Sequence, residues 1–466
     1  MTTAPSRRAD VAEAGTALGP LPAAGATTWS SLETSRQWMS AFASPAVGIV
    51  RRVSERMRVP EDIASFSTAA EACGSRSLLG VGCNRTNGGA GASRAGAWVR
   101  AVGETVERYS NAFVPWGALR FGSFEELSGA GLVCVSPGTY RPCADWQYGS
   151  GSAFVRFEGS TPLWWVESRR FSDGVLVWVP AQVVYLDGRL VGDLPVGYAT
   201  SSGLAFGASV DEALVGGALE LVERDAVMVA WYRRLSLPLI EVSSDRRLAG
   251  FFARHVVPTG LSVSLVDLSV VSGVPVVLAV TRNRVNGVAP LGLGAAASAD
   301  PFRAAVKAVD ESISSRGWSL MMQRDGQTID PASDYTETVD SFDDHVALYS
   351  GPALVPETEF LDASPERVGL GQLPRLPSGS PGELRDALVS RLAAQGVQLF
   401  GVDTTSPDVA EVGGRVVRVF SPELVPLDSG YRRRRLGSPR LWERPAQLGL
   451  LAPGDDRFNA LPHPFP

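Results

Sequence analysis

The chain has 466 residues, 45% hydrophobic and 20% charged, with a formal net charge of −6. It carries enough apolar material for a sizeable core, as one large domain or two fused lobes, and its acidic balance disfavours a general nucleic-acid binder. No stretch reads as a membrane span and no apolar run marks a secretion signal, so a cytoplasmic location is expected. Cys73, Cys83, Cys134 and Cys143 contain no C-x-x-C pair. Free thiols in a reducing compartment are preferred over a zinc site or a disulfide framework. The only lysine is Lys307, so a Gly-Lys-Ser/Thr phosphate loop is excluded.

In chain order, residues 1–43 are rich in Ala, Thr, Ser, Gly and Pro and predict a flexible N-terminal tail, with the folded domain spanning 44–466. Order is expected to begin with a short strand at Ser44–Val50. A first long helix is predicted from about Ser93 to Asn111, where Trp98, Val99, Val102, Val106 and Tyr109 recur at helical spacing. Strands follow at Leu163–Val166 and Val175–Val179. A second long helix starts at the capping box Ser209-x-x-Glu212 and runs to about Arg234. Further strands are expected at Ser262–Val266 and Val274–Val280. Leu291-Gly292-Leu293-Gly294 reads as a tight strand-to-helix turn. A third helix starts at Asp300-Pro301 and ends at Gly317. A helix near Glu383–Gln395 and strands near Val397–Val402 and Arg415–Phe420 complete a mixed α/β (α+β) class.

An internal repeat carries the chemistry. The first helix holds Glu104-x-x-Glu107-Arg108 and the second holds Glu220-x-x-Glu223-Arg224. This spacing puts each set on one helical face, with Glu–Arg pairs at i,i+4 worth about 0.2–0.5 kcal/mol each. One such motif alone reads as a solvated ion-pair face. Two copies and a third acidic helix with Glu311 and Arg316 point to a shared site. Converging carboxylates without Cys or His ligands suit Mg²⁺, which commonly escorts nucleotide phosphates. For Glu311, a surface pair with Lys307 is the competing reading. With three histidines, no G-x-S-x-G and no H-E-x-x-H, the hydrolase and zinc-protease patterns are absent. The run Arg432–Arg435 reads as a solvated basic face rather than a phosphate or partner site.

At these residues the chain resembles the YcaO family. Gly103–Ser110 is similar to its first signature. Ser201–Gly207, Glu212-Ala213 and Glu220–Ala226 are similar to its second, and Asp300–Arg316 to its third. Asp403–Asp408, Leu436–Leu441 and the terminal Pro462-His463-Pro464-Phe465-Pro466 also resemble azoline-forming members. The likeness covers about residues 44–466.

The resemblance implies a YcaO-like fold of sheets and long helices around a carboxylate-rich site for ATP and Mg²⁺. Glu104, Glu107, Arg108, Glu212, Glu220, Glu223, Arg224, Glu311 and Arg316 would bind the cofactors. Glu104, Glu107, Glu220, Glu223 and Glu311 would be the metal carboxylates. Pro462, Pro464 and Pro466 would form a catalytic end that assists proton transfer, closing on a terminal carboxylate. Three positions depart from the family pattern: Ser202 and Ala208 where Asn is frequent, and Ser314 where Gln is frequent.

The implied activity is ATP-dependent cyclodehydration of a ribosomally made precursor peptide, forming thiazolines or oxazolines from Cys, Ser or Thr. A separate leader-peptide-binding protein is the expected partner, and a homodimer is the family-level expectation. The alternatives are thioamide or macroamidine formation, which the Pro-rich end disfavours, and a non-catalytic scaffold.

Overall fold

The computed structural model describes residues 18–57, 66–76, 82–149, 151–186, 190, 192–285, 287–452 and 454–465. In chain order its main elements are α1 (Leu32–Trp38), β1 (Val50–Arg56), β2 (Phe66–Ala72), β3 (Thr86–Gly91), α2 (Arg94–Asn111), β4 (Arg120–Gly122), β5 (Leu163–Arg170), β6 (Leu176–Pro180) and β7 (Leu204–Gly207). Then come α3 (Val210–Tyr232), β8 (Leu239–Glu241), β9 (Ser262–Asp267), β10 (Val276–Arg282), β11 (Leu291–Ala297), α4 (Pro301–Arg324), β12 (Arg367–Gly369), α5 (Pro381–Ala393), β13 (Phe400–Asp403) and β14 (Arg415–Phe420).

These strands form three sheets. One is the antiparallel β1-β2-β3. The second runs β4-β5-β13-β14-β7, with β6 also paired to β5. The third runs β11-β10-β9-β8-β12, where only the β8–β12 pair is parallel. The mixed α/β class is therefore observed.

Helix α3 is the centre of the molecule. It is apolar on most sides, and such a helix has to be buried. It packs on β7 and β14 on one side and β11 on the other. Its core includes Leu214, Leu221, Val222, Met228 and Trp231. Gly203 has φ +84°, and a Cβ there would lie 2.3 Å from the Val419 carbonyl oxygen. Only glycine lets this turn meet β14 so closely. Helix α2 packs on β2, β3 and β7, while α4 covers β10 and β11 and touches β3. The three signature helices thus meet where the three sheets converge.

Several expectations need correction. Residues 18–43 are not a free tail. Leu18 is fully buried in the main core, and its carbonyl accepts from Arg169 Nε at 2.7 Å. Thr27 donates to Asp211 at 2.8 Å, and the Ser30 amide donates to Glu212 at 2.6 Å. The few apolar groups of this segment are enough because polar atoms on α3 and β5 hold its backbone. Residues 1–17 lie outside the described residues. The run Ser44–Val50 is a loop that only reaches strand at Val50, where Ser44 N–H bonds to the Val50 carbonyl. Helix α4 passes through Gly317 to Arg324. Gly317 sits inside it because Arg56 packs where a Cβ would stand, 2.5 Å from Nη1.

The Leu291–Gly294 segment is a fully buried strand, β11, not a turn. Its glycines serve close packing. A Cβ on Gly292 would lie 2.3 Å from the Ser312 carbonyl, and one on Gly294 would lie 2.3 Å from the Ser312 nitrogen. Helix α4 therefore lies directly on the strand, which decides where Glu311 points.

Candidate functional site

Arg224 on α3 organises the site. Its Nε lies 3.5 Å from Glu223 and 3.9 Å from Glu220, and its Nη2 lies 3.6 Å from Glu311 on α4. From α2, Glu104 accepts a hydrogen bond from Arg108 at 3.2 Å. Glu107 accepts from the Phe206 amide at 3.0 Å. Glu223 accepts from the Ala297 amide at 2.9 Å and Glu311 from the Ala295 amide at 3.1 Å. Glu107, Glu223 and Glu311 are thus each fixed at one oxygen by a backbone N–H of β7 or β11. The other oxygen is left for the site.

The electrostatics are those of crowded, dehydrated acids. Burial, then the charge of Glu220, lifts Glu107 to about 8. Burial, with Glu223 beside it, lifts Glu311 to about 7. Glu220 and Glu223 are also raised, chiefly by burial. Burial alone would lower Arg224, but Glu223, Glu311 and Glu220 outweigh it and hold it above its ordinary value. Glu220 feels Arg108 and Glu104, so the α2 and α3 motifs share one field.

The structure therefore brings together Glu104, Glu107, Arg108, Glu220, Glu223, Arg224 and Glu311. Glu311 faces Arg224 rather than forming a surface pair with Lys307. Two expected residues are placed elsewhere. Glu212 caps the start of α3, accepting from the Ala208 and Ser30 amides. It is eight residues from Glu220, about 12 Å along the helix. Arg316, five positions after Glu311, points to another face of α4 and donates to the Val288 carbonyl at 3.5 Å.

The family-like segments outside the helices act as clamps. Asp408 accepts from Tyr109 at 2.7 Å, and Ser110 Oγ donates to the Thr404 carbonyl at 2.8 Å, pinning the end of α2. Arg440 Nε donates to Asp225 at 2.6 Å, pinning α3 one residue after Arg224. The proline-rich end is docked on the far turn of α3. Trp231 Nε1 donates to the Leu461 carbonyl, and Tyr349 donates to the Pro462 carbonyl at 2.7 Å. Pro462 and Pro464 are buried, and Pro466 lies outside the described residues. His463 Nδ1 accepts from the Phe465 amide and its Nε2–H donates to the Asp428 carbonyl, so the ring is neutral. It stacks on His345 at 4.0 Å between centroids. Burial, with a smaller contribution from the Arg224 charge, lowers His463 to about 4.

Sequence reading missed Arg418. It is only 2% exposed and donates to the carbonyls of Val184, Thr200 and Ser202. Burial lowers it to about 9, against the pull of Glu220 and Glu107. The signal was an arginine within the apolar strand run Val416–Phe420.

Residues 88–425, well over half of the chain, match the family model of the YcaO cyclodehydratases, described as ATP- and Mg²⁺-binding. The chain belongs to the YcaO family. ATP and Mg²⁺ are thus its cofactors. A protein from Rhizobium leguminosarum bv. trifolii, known only as uncharacterized and lying in the tfuA 3′ region, is 32% identical over 178 residues. The match covers 36% of this chain and 42% of that one. A heterocyclase solved with substrate and cofactor superposes with a TM-score of 0.74 at 22% identity, covering 96% of this YcaO chain and 59% of that one. The YcaO protein of Methanopyrus kandleri, bound with AMPPCP and Mg²⁺, gives 0.58 at 24% identity, covering 85% and 92%. At these identities the structural matches establish the YcaO fold. This chain spans less than two thirds of the heterocyclase and less than half of the Rhizobium protein.

The donor set fits these cofactors. Every acidic group is an oxygen ligand, as Mg²⁺ requires. Arg108 Nε and Arg224 Nε are buried without hydrogen-bond partners, as suits donors that await an anion. Among the described residues, no three acidic, His or Cys side chains stand close enough to hold a metal unaided. The five carboxylates are therefore not a ready-made cage. Arg224 and the backbone amides hold them apart. Mg²⁺ characteristically takes one or two carboxylates plus phosphate oxygens and waters, so nucleotide phosphates would complete its shell. Among the described residues no helix is long and apolar enough to cross a membrane.

Proposed function

We propose that this chain is an ATP-dependent cyclodehydratase that forms thiazolines or oxazolines in a ribosomally made peptide. The observation that carries this reading is the meeting of Glu220, Glu223 and Glu311 around Arg224, with Glu104 and Arg108 of α2 acting on the same group of charges. When bound, ATP with Mg²⁺ supplies the phosphoryl group that turns a backbone amide oxygen into a leaving group. Glu104, Glu107, Glu220, Glu223 and Glu311 hold the metal ions, and Arg108 and Arg224 balance phosphate charge. Pro462, Pro464 and Pro466 would handle protons as the substrate's Cys, Ser or Thr side chain closes on the preceding carbonyl. Overall, ATP and the peptide give ADP, orthophosphate and a ring, with the amide oxygen leaving in the phosphate.

A separate leader-binding protein supplies substrate recruitment. The heterocyclase solved with substrate and cofactor has about two fifths of its length without a counterpart in these residues. Mass spectrometry of a precursor peptide incubated with this chain, ATP, Mg²⁺ and candidate partners tests the reading. One water is lost per ring, and ADP release depends on peptide. Turnover unchanged by Glu104→Gln and Glu223→Gln would overturn the assignment.

A further inference from the structure

Arg418 also borders a cavity that is partly open to solvent. Arg418 and Arg435 both line it, with Tyr140, Thr200 and Ser438 on its wall. Arg435 belongs to the run Arg432–Arg435, which the sequence marks as a solvated face. The structure divides that run. Arg432 pairs with Glu337 and Arg433 with Asp340 at the surface, whereas Arg435 is 5% exposed.

Arg435 has unspent donors. It donates to the Tyr198 carbonyl and, at 3.5 Å, to Tyr140 Oη. Its Nε is buried without a hydrogen-bond partner. Among the described residues no carboxylate lies within ion-pair distance of Arg418 or Arg435. A buried guanidinium with no counter-ion is costly, and a pair of them lining one cavity repel each other. Three backbone carbonyls satisfy Arg418, whereas Arg435, which also lies 4.3 Å from the centroid of the Tyr198 ring, keeps its Nε unused. A planar fork of this kind is matched by a phosphate or carboxylate oxyanion.

We propose that this cavity is an oxyanion site and that it takes the orthophosphate formed in the reaction proposed above. The identity of the anion rests on that reading. The position suits it: Arg418 is shared, lining the cavity while lying in the field of Glu107 and Glu220. An anion leaving the acidic cluster would move away from carboxylates and toward two unpaired cations.

The test uses the purified chain without peptide. Thermal unfolding is followed in potassium phosphate against potassium chloride of equal ionic strength, alone and with Mg²⁺ and a non-hydrolysable ATP analogue. Saturable stabilisation by phosphate is expected, and it persists with the analogue present. Arg435→Gln weakens phosphate binding by about tenfold or more, the scale of a lost charge-assisted hydrogen-bond pair. Arg435→Lys, which keeps the charge, loses less. Absence of any phosphate-specific shift in the unaltered chain overturns the proposal, as does full displacement by the analogue, which would make the cavity part of the nucleotide site. Unweakened binding by a folded Arg435→Gln also overturns it. If Arg435→Gln does not fold, the unaltered chain and Arg435→Lys decide. Failure of cyclodehydration is read separately, as absent peptide-dependent ADP release.

Discussion

Arg224 and Glu311 stand 3.6 Å apart across the α3–α4 interface, and this pair joins the second and third family signatures. The contact exists because α4 lies flush on β11, where Gly292 and Gly294 leave no side chain between them. Replacing Arg224 by Met leaves Glu220, Glu223 and Glu311 without their common cation. Breaking a fully buried pair costs about 3–5 kcal/mol; Glu311 keeps 35% of its side chain exposed, so about 2 kcal/mol is expected after solvent screening. Peptide-dependent ADP release falls about a hundredfold or more. Chemical denaturation and a coupled ADP assay check the two effects.

Gly294→Ala tests the packing without touching a charged group. Its Cβ would fall 2.3 Å from the Ser312 nitrogen, so α4 has to shift. Overpacking of this kind costs about 1–3 kcal/mol. Nucleotide affinity falls as well, because Glu311 moves with α4. Unchanged nucleotide affinity in a folded Gly294→Ala variant would show that Glu311 is not positioned by this contact.

The raised carboxyls make Mg²⁺ binding pH-dependent. On the proposed assignment, metal and proton compete for Glu107 and Glu311, lifted to about 8 and about 7. Affinity for Mg²⁺ with nucleotide therefore rises as pH increases from 6 to 8.5, and binding releases protons. Stability of the metal-free chain moves the opposite way. A carboxyl with a raised folded pKa holds its proton more tightly in the folded chain than in the unfolded one. That advantage is present below the lifted value and is lost as pH rises from the ordinary carboxylate range through about 8. Calorimetry in buffers of different ionisation enthalpy counts the protons.

The histidine stack predicts acid release of the C-terminal segment. Burial holds His463 down to about 4 and His345 to about 3. Both rings are neutral when docked, and their depressed folded values stabilise the docked state above the ordinary histidine pKa. That contribution declines as pH falls from about 6.5 toward 4. Hydrogen exchange at residues 459–465 accelerates over this window before the core opens. Tyr349→Phe, which removes the bond to the Pro462 carbonyl, weakens docking by about 1 kcal/mol.

Glu212→Gln separates capping from cofactor binding. Among the described residues the carboxylate bonds to the Ala208 and Ser30 amides alone. The variant loses about 1 kcal/mol of stability while keeping its affinity for Mg²⁺ and nucleotide. A loss of that affinity comparable with Glu223→Gln would return Glu212 to the site.

Local pattern made much of this molecule legible. The apolar spacing from Trp98 to Tyr109, the serine cap at Ser209 and the Asp300-Pro301 start each locate a helix, because capping and periodicity are properties of neighbouring residues. The repeated E-x-x-E-R spacing likewise put Glu104 with Arg108 and Glu220 with Arg224, since residues four apart share a helical face. Leu291–Gly294 misled because glycine signals both a turn and a close approach, and only the neighbour can tell which. Leu18 and Thr27 misled because their partners, Arg169 and Asp211, are more than a hundred residues away.

By itself, then, the chain's order of residues determined its helices, its mixed class and its stock of acidic groups, all consequences of interactions between near neighbours. Only the tertiary structure decided which acids meet. Glu107, Glu223 and Glu311 are aimed by backbone amides of other elements, Glu212 is diverted to a cap, and Arg435 is drawn from a surface run into a cavity. The physical reason is that burial and charge act through space. A carboxylate's proton affinity and an arginine's need for a partner are set by what folding brings beside them, not by what precedes them in the chain.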